Sequence, residues 1–422
     1  MCGMFLKYFK KRPGDFYSKF LKLFNKHSHE RNDDMKNLLI MHGGGPTAVI
    51  NSSLYGAIRE AKKHSDVQHI YAAIGGSGGL MREQLRDLRE IPDVQLELLL
   101  TSPGSAIGTS RDRLREAEYQ KMAEVIRKYN IDCILCNGGN GTMDTCGKLY
   151  QECARQGMDV RVIGIPKTMD NDIAVTDHAP GYGSAARYVA VSTRELCMDV
   201  ASMPIHVVIL ETSGRNAGWV AASSALAAGN GCTGPDLIYL PERAFSEEKF
   251  LQDVGALLTR KKGLVIVVSE GLCREDGQPV AEPSFTIGRD VYFGDVGGYL
   301  AGLLQKKLGY KARAEKPGLL GRASICCQST VDRDEAIIAG EMACRAVLEG
   351  ETGKMVAFRR VSDKPYRVEP FLVSIQEVML TEKKVPDEFI NFEGNHVTDA
   401  FIQWAAPLIG GTLPEMVSFR ND

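Results

Sequence analysis

Leu38-Leu39-Ile40-Met41-His42-Gly43-Gly44-Gly45-Pro46-Thr47-Ala48 is the stretch on which the fold turns. An apolar run of strand length enters three glycines and continues into a helical pattern over 46–61. Glycines let backbone N–H groups come close to a phosphate, and a helix start adds positive potential there. The six residues from Gly43 also satisfy the G-x-G-x-x-A of a dinucleotide site. Such a site wants an acid at the end of the next strand, about 20 residues on. The next apolar run ends Ala72-Ala73-Ile74-Gly75-Gly76 without one, so the stretch reads as a phosphate loop.

The same alternation continues along the chain. Strand-like runs recur at 70–74, 132–137, 160–165, 206–211, 237–240 and 264–269, with helical spacing at 117–128, 185–197, 216–228 and 250–259. Strands alternating with helices predict an α/β protein, here two Rossmann-like three-layer domains with mostly parallel sheets. Ligands of such sheets sit beyond the C-terminal ends of the strands, so the active site is expected in the cleft between the two domains.

Composition narrows the function. With 51 Lys and Arg against 53 Asp and Glu the formal net charge is −2, which provides no general attraction to nucleic acid or to an anionic membrane. Hydrophobic residues make up 44% of the 422, and no run reaches the roughly 20 apolar residues of a membrane span. The 11 cysteines lie mostly in apolar runs. Cys133 and Cys136 form a C-x-x-C without a second pair to complete a zinc site, and read as small buried hydrophobes of a reducing cytosol. Residues 1–35 form a basic extension with eight Lys or Arg against four Asp or Glu in its first 34 positions, and no continuous apolar segment of a secretory signal.

Two further strand-to-helix junctions carry polar chemistry. Asn137-Gly138-Gly139-Asn140-Gly141-Thr142 offers amide and hydroxyl groups to a phosphate or a hydrated metal. Pro166-Lys167-Thr168-Met169-Asp170-Asn171-Asp172 packs two carboxylates, an amide, a hydroxyl and an ammonium into one turn. Asp170 beside Lys167 suits a general base next to a phosphate-binding cation.

At these loops the chain resembles the phosphofructokinase family, over most of 36–350. Pro166–Asp172 resembles the family's P-[GK]-T-[IM]-D-N-D element, and Gly108-Thr109-Ser110-Arg111 its G-[TS]-[AS]-R turn. The resemblance implies that Asp170 deprotonates a sugar hydroxyl, Thr168 contacts the sugar phosphate, Asp172 orients the loop, and Arg111 and Lys167 stabilise the transferring phosphoryl group. Gly44, Gly45, Asn140, Gly141 and Thr142 would bind the donor phosphates, Asn140 also holding Mg2+. Glu211–Trp219 resembles E-x-M-G-R-x-[AC]-G, Leu240-Pro241-Glu242 the family's P-E pair, and Lys316–Arg322 its G-x-x-Q-R region. Thr168, Met169, Asp170, Ser213, Gly214, Arg215, Glu242, Arg313, Leu319 and Arg322 would then form the sugar-phosphate site. An arginine such as Arg313 can serve a neighbouring subunit in the family, which implies a homodimer or homotetramer. The implied organisation is a donor-phosphate-binding domain over 36–180 with about 323–385, a sugar-phosphate-binding domain over 181–322, and a C-terminal extension over 386–422, in a cytoplasmic enzyme.

The chain departs from the pattern at four places. Ser213 stands for methionine, Leu319 for histidine or tyrosine, His206 for a phosphate-binding arginine and Asn140 for the aspartate tied to the metal. These changes leave another phosphorylated ketose open as acceptor beside fructose 6-phosphate. Two positions oppose each other over the donor. An aspartate at position 141 would fill the space of a nucleotide's α-phosphate, and Gly141 leaves it open, favouring ATP. Lys167 is typical of pyrophosphate users, and Pro46–Asn51 and Gly214–Trp219 look closest to that branch. The steric argument puts ATP first and pyrophosphate as the alternative. Rival readings are an NAD-kinase-like enzyme, which shares G-G-x-G-T but lacks the Pro166–Asp172 loop, and a catalytically silent sugar-phosphate sensor.

Overall fold

The structure is a computed structural model describing residues 35–419 apart from 230, 283, 284, 288, 289, 293 and 380. The expected basic extension at 1–34 lies outside the described residues. Among the described residues thirteen strands form two main sheets and a small hairpin. In chain order they are β1 (Lys36–His42), β2 (Val67–Ala73), β3 (Leu85–Asp87), β4 (Cys133–Gly138), β5 (Arg161–Pro166), β6 (Val207–Thr212), β7 (Leu237–Tyr239), β8 (Leu264–Ser269), β9 (Phe285–Ile287), β10 (Asp290–Tyr292), β11 (Ala312–Glu315), β12 (Lys354–Asp363) and β13 (Tyr366–Ser374).

The larger sheet has the order β13-β12-β5-β4-β1-β2-β3. Its centre, β5-β4-β1-β2, is parallel, and β3 and β13 close the edges antiparallel. These central strands read as apolar runs because both faces are covered. Successive residues of β1 point to opposite faces. Leu39 and Met41 pack with Met122, Ile126, Cys146 and Leu149, while Leu38 and Ile40 pack with Leu54, Ile58, Ala339 and Ala343. Cys136 and Cys133 divide between the same two layers, so the C-x-x-C is core.

This arrangement creates the crevice. β1 lies between β2 and β4. The helix after β1, Ile50–Lys62, covers one face, and the helix after β4, Asn140–Arg155, covers the other. Adjacent strands whose helices leave to opposite faces open a gap beyond their C-terminal ends. The helix after β1 begins at Ile50, not at 46 as the pattern predicts, because 46–49 remain in a turn whose Pro46 and Thr47 line this gap.

The second sheet, β11-β6-β8-β7, is wholly parallel. One face carries Val207, Ile209, Ile266, Phe250 and Leu300, the other Leu210, Ile238, Val267, Tyr182 and Trp219. Residues beyond 386, expected as an extension of their own, join the second of these layers through Ile390, Val397, Phe401, Leu408 and Leu413. The physical reason is the indole of Trp219, whose ring centroid lies 4.9 Å from that of Trp404 and 6.1 Å from that of Phe389. The helix expected over 216–228 is a short turn, Trp219–Ala222, followed by the 3-10 segment Ser223–Ala227. No helix among the described residues is long and apolar enough to cross a membrane.

Candidate active site

Beyond β1, Gly43 N–H donates to Asn137 O at 2.9 Å and Gly44 N–H to Ser110 O at 3.0 Å. The Thr109 hydroxyl donates to Gly44 O at 2.7 Å. The first glycine loop is thereby stitched to the end of β4 and to the 108–111 turn. A side chain on Gly43 or Gly138 would fall 2.3 or 2.1 Å from Thr142 Oγ1, so the two glycines make the slot in which that hydroxyl sits.

Gly45 is the focus of positive charge. A Cβ there would meet an Arg322 guanidinium nitrogen at 2.5 Å and one of Arg111 at 3.3 Å. The Lys167 ammonium donates to the carbonyl of the same residue. Arg322 arrives from the short helix Leu320–Ala323 beyond β11, so the second sheet delivers a cation onto a loop of the first. Three cations around one half-buried backbone segment make a ready seat for phosphate oxygens. Lys167 is buried, and burial together with Arg322 and Arg111 brings its ammonium down to about 8, against the opposing pull of Asp170 and Asp172.

The loop after β5 is tied on both sides. Lys167 N–H donates to Gly138 O and Thr168 N–H to Pro180 O, each at 3.0 Å. The Thr168 hydroxyl donates to Asp172 at 2.9 Å and accepts from Asp170 N–H at 3.0 Å. Asn171 holds a left-handed backbone, φ 52°, and its side-chain oxygen accepts from Ala179 N–H at 3.1 Å. Asp170 is left with one enclosed carboxylate oxygen that has no partner. Burial raises its carboxyl to about 7, helped by Asp172 and Glu270 and resisted by Lys167 and Arg322. A carboxyl poised there can accept a proton at neutral pH. Burial also raises Asp172.

A cleft of about 450 Å³ gathers Gly44, Gly45, Arg111, Asn140, Gly141, Thr142, Lys167, Thr168, Met169, Asp170, Asp172 and Arg322. Gly141 is exposed, and a Cβ there would meet nothing within 4 Å. Asn140 donates to Asp172 O at 3.2 Å, and its own side-chain oxygen is enclosed without a partner. Among the described residues no group of three His, Cys, Asp or Glu is placed to hold a metal.

Ser213, Gly214, Arg215, Glu242, Arg313 and Leu319 do not line this cleft. Glu242 accepts from Gly218 N–H and Val385 N–H, each at 2.9 Å, so its carboxylate already holds backbone. The Gly214 carbonyl accepts from the Ser269 hydroxyl. Arg215 and Arg313 are exposed, and Leu319 is 68% exposed. His206 is buried at the foot of β6 with its Nδ1 unpartnered, and burial and Arg313 lower its pKa. Two residues not singled out from sequence bear on the site. Glu270, directly after β8, pushes up the Asp170 carboxyl, and its place at a strand's C-terminal end was the available signal. Lys383 holds the far side of the Asp170 loop.

With this geometry in view, comparison with known proteins is informative. A family model described as Phosphofructokinase matches residues 37–348. The pyrophosphate–fructose 6-phosphate 1-phosphotransferase of Xanthomonas campestris pv. campestris is 36% identical over 404 residues, 91% of this chain and 96% of the relative. A sulfofructose kinase of Alkalicoccus urumqiensis is 37% identical over 357 residues, 83% and 91% of the two chains. The crystal structure of a pyrophosphate-dependent phosphofructokinase from Nitrosospira multiformis matches with a TM-score of 0.83 at 34% identity, covering 91% of this chain and 94% of that one. The resemblance to the pyrophosphate-using branch therefore extends along the whole described fold. Family match, long relatives and shared architecture agree with the cleft, and the chain belongs to the phosphofructokinase family, as a phosphotransferase with an alcohol group as acceptor.

Proposed function

We propose that this enzyme transfers a phosphoryl group from pyrophosphate to the 1-hydroxyl of fructose 6-phosphate, giving fructose 1,6-bisphosphate. The observation that carries the reading is the enclosed Lys167 ammonium under Gly45, flanked by the guanidinium groups of Arg111 and Arg322. That is a compact anion seat, and it supports pyrophosphate together with the names of the Xanthomonas relative and the Nitrosospira structure. ATP, put first from sequence, is the second reading, favoured by the open space at Gly141.

In the proposed reaction Asp170 takes the proton of the acceptor hydroxyl as its oxygen attacks a phosphorus of pyrophosphate, the bridging P–O bond breaks, and orthophosphate leaves. Arg111, Lys167 and Arg322 hold the equatorial oxygens, where charge builds. Thr168 and Met169 would border the sugar phosphate, and Gly44, Gly45 and Thr142 the donor. Magnesium would neutralise charge on the donor. It prefers oxygen ligands and keeps several waters and phosphate oxygens, so the unpartnered Asn140 oxygen with the donor's own oxygens fits it. Exposed Arg313 is proposed to serve the site of a second copy in a homo-oligomer, and the enzyme to be cytoplasmic.

The test crosses pyrophosphate and ATP with fructose 6-phosphate, sedoheptulose 7-phosphate and sulfofructose in assays of the purified protein. Pyrophosphate with fructose 6-phosphate should have the highest kcat/KM. A higher value with ATP would overturn the donor assignment, and a higher value with another ketose would overturn the acceptor.

A further inference from the structure

Residues 381–385 run between the loop after β5 and the loop after β6. On one side Lys383 N–H donates to Asp172 O at 2.8 Å, and Glu382 forms an antiparallel bridge with Ile173. On the other, Trp219 Nε1 donates to Lys383 O at 3.0 Å, Asn216 donates to the Glu382 carboxylate at 2.9 Å, and Val385 N–H donates to Glu242. The segment thus touches both the loop that carries Asp170 and the loop between β6 and Trp219.

The Lys383 side chain turns toward the first of these. Its ammonium donates to Asp177 O at 2.8 Å, to Thr176 O at 3.0 Å and to the Asn171 side-chain oxygen at 3.4 Å, and lies 5.2 Å from the Trp219 ring centroid. The backbone it grips is strained. Asn171 and Val175 both have positive φ, 52° and 69°, and a β-branched residue rarely accepts that conformation. Such strain persists only where surrounding groups over-determine it. Phe358 adds ties from the hairpin side, its N–H donating to the Thr176 hydroxyl and its carbonyl accepting from Asp177 N–H, each at 2.9 Å. Burial lowers the Lys383 ammonium to about 7, with Asp177 and Asp172 opposing the shift and Arg360 adding to it.

We propose that Lys383 is a positioning residue for phosphoryl transfer: it clamps the 171–177 backbone so that Asp170 faces the acceptor hydroxyl, and through 381–385 couples that backbone to the 216–219 loop. The proposal rests on the reading of Asp170 as the base. Local sequence does not show it, because Lys383 lies 212 positions from Asn171.

The experiment compares Lys383→Met, Lys383→Arg and Asp170→Asn in the full chain with pyrophosphate and fructose 6-phosphate. Misplacing a reacting group by an ångström can cost about 100-fold, so Lys383→Met should lower kcat on that order while KM for pyrophosphate holds. Lys383→Arg, which restores a cation and donors, should recover most of kcat, and amides of 171–177 should exchange hydrogen faster in the Met variant alone. A Lys383→Met enzyme within twofold of wild type in kcat overturns the proposal, as does a loss that Lys383→Arg leaves uncorrected. Should the Met variant not fold, Lys383→Gln replaces it, with intermediate kcat expected and wild-type kcat overturning the proposal. Asp170→Asn separates the two ideas, since activity there defeats the base reading itself.

Discussion

The loops of the seven-stranded sheet and those of the four-stranded sheet both carry site candidates, yet they are built differently. Beyond β1, β4 and β5 the candidates converge. Gly43 and Gly138 share the Thr142 hydroxyl, Gly45 meets two guanidinium groups, and Asp170 keeps a free carboxylate oxygen in the cleft. Beyond β6 and β7 the polar groups are engaged with their own backbone. Glu242 holds Gly218 and Val385, Ser269 holds Gly214, and Glu211 holds Gly297 N–H at 2.8 Å and the Lys316 ammonium. The first region is preorganised for charge. In the second, Arg322 alone among the implied sugar-side cations reaches the cleft, while Arg215 and Arg313 face outward. The cleft thus draws most of its lining from one sheet and a single guanidinium from the other.

The largest effect should come from the convergent region. Replacing Asp170→Asn removes the proton acceptor with little change in shape, and general-base catalysis is worth about 100- to 10,000-fold. Steady-state kcat should fall by that range while pyrophosphate binding, followed by calorimetry, stays close to wild type. Next comes Gly45→Ala. The added methyl collides with the far ends of two flexible arginines and not with backbone, so it displaces Arg322 and Arg111 without unfolding the chain. Activity should drop about 10- to 100-fold, with an unchanged melting temperature. A melting temperature that falls in step with activity would blur the contrast between the two regions. The smallest catalytic effect belongs to Glu242→Gln. Gly218 and Val385 N–H both donate to one carboxylate oxygen, which the amide oxygen can replace, so the change costs only about 1 kcal/mol of stability in a urea titration and leaves KM for pyrophosphate unaltered. A large rise in KM for fructose 6-phosphate with intact stability would instead make Glu242 a sugar ligand.

Much of the convergent region was legible in sequence. A strand that ends in glycines and opens a helix identifies its own role, and β1, β4 and β5 each have a polar turn of unusual density. Their adjacency followed from the topology, since β1 lies beside β4 and β4 beside β5. The scaffold of the other region was not legible, for reasons of distance along the chain. Glu242 and Val385 are separated by 143 positions, and no local periodicity encodes that contact. The same holds for the tail, whose Phe401 and Leu408 look like an ordinary amphipathic end until Trp219 and Tyr182 appear beneath them. Glu270 was missed because a single acid after an apolar strand is common, and only its field on Asp170 distinguishes it.

The most direct test of the central claim, that Asp170 is a base held beside a lysine-lined phosphate seat, is the pH dependence of kcat/KM, which reports the groups of the free enzyme. Burial raises Asp170 to about 7, so its active, ionised form appears as pH rises through that value. Burial lowers Lys167 to about 8, so its binding cation is lost above that value. The profile should be a bell with limbs near pH 7 and pH 8, whose ascending limb disappears in Asp170→Asn. An ascending limb that survives unchanged in that variant would contradict the claim.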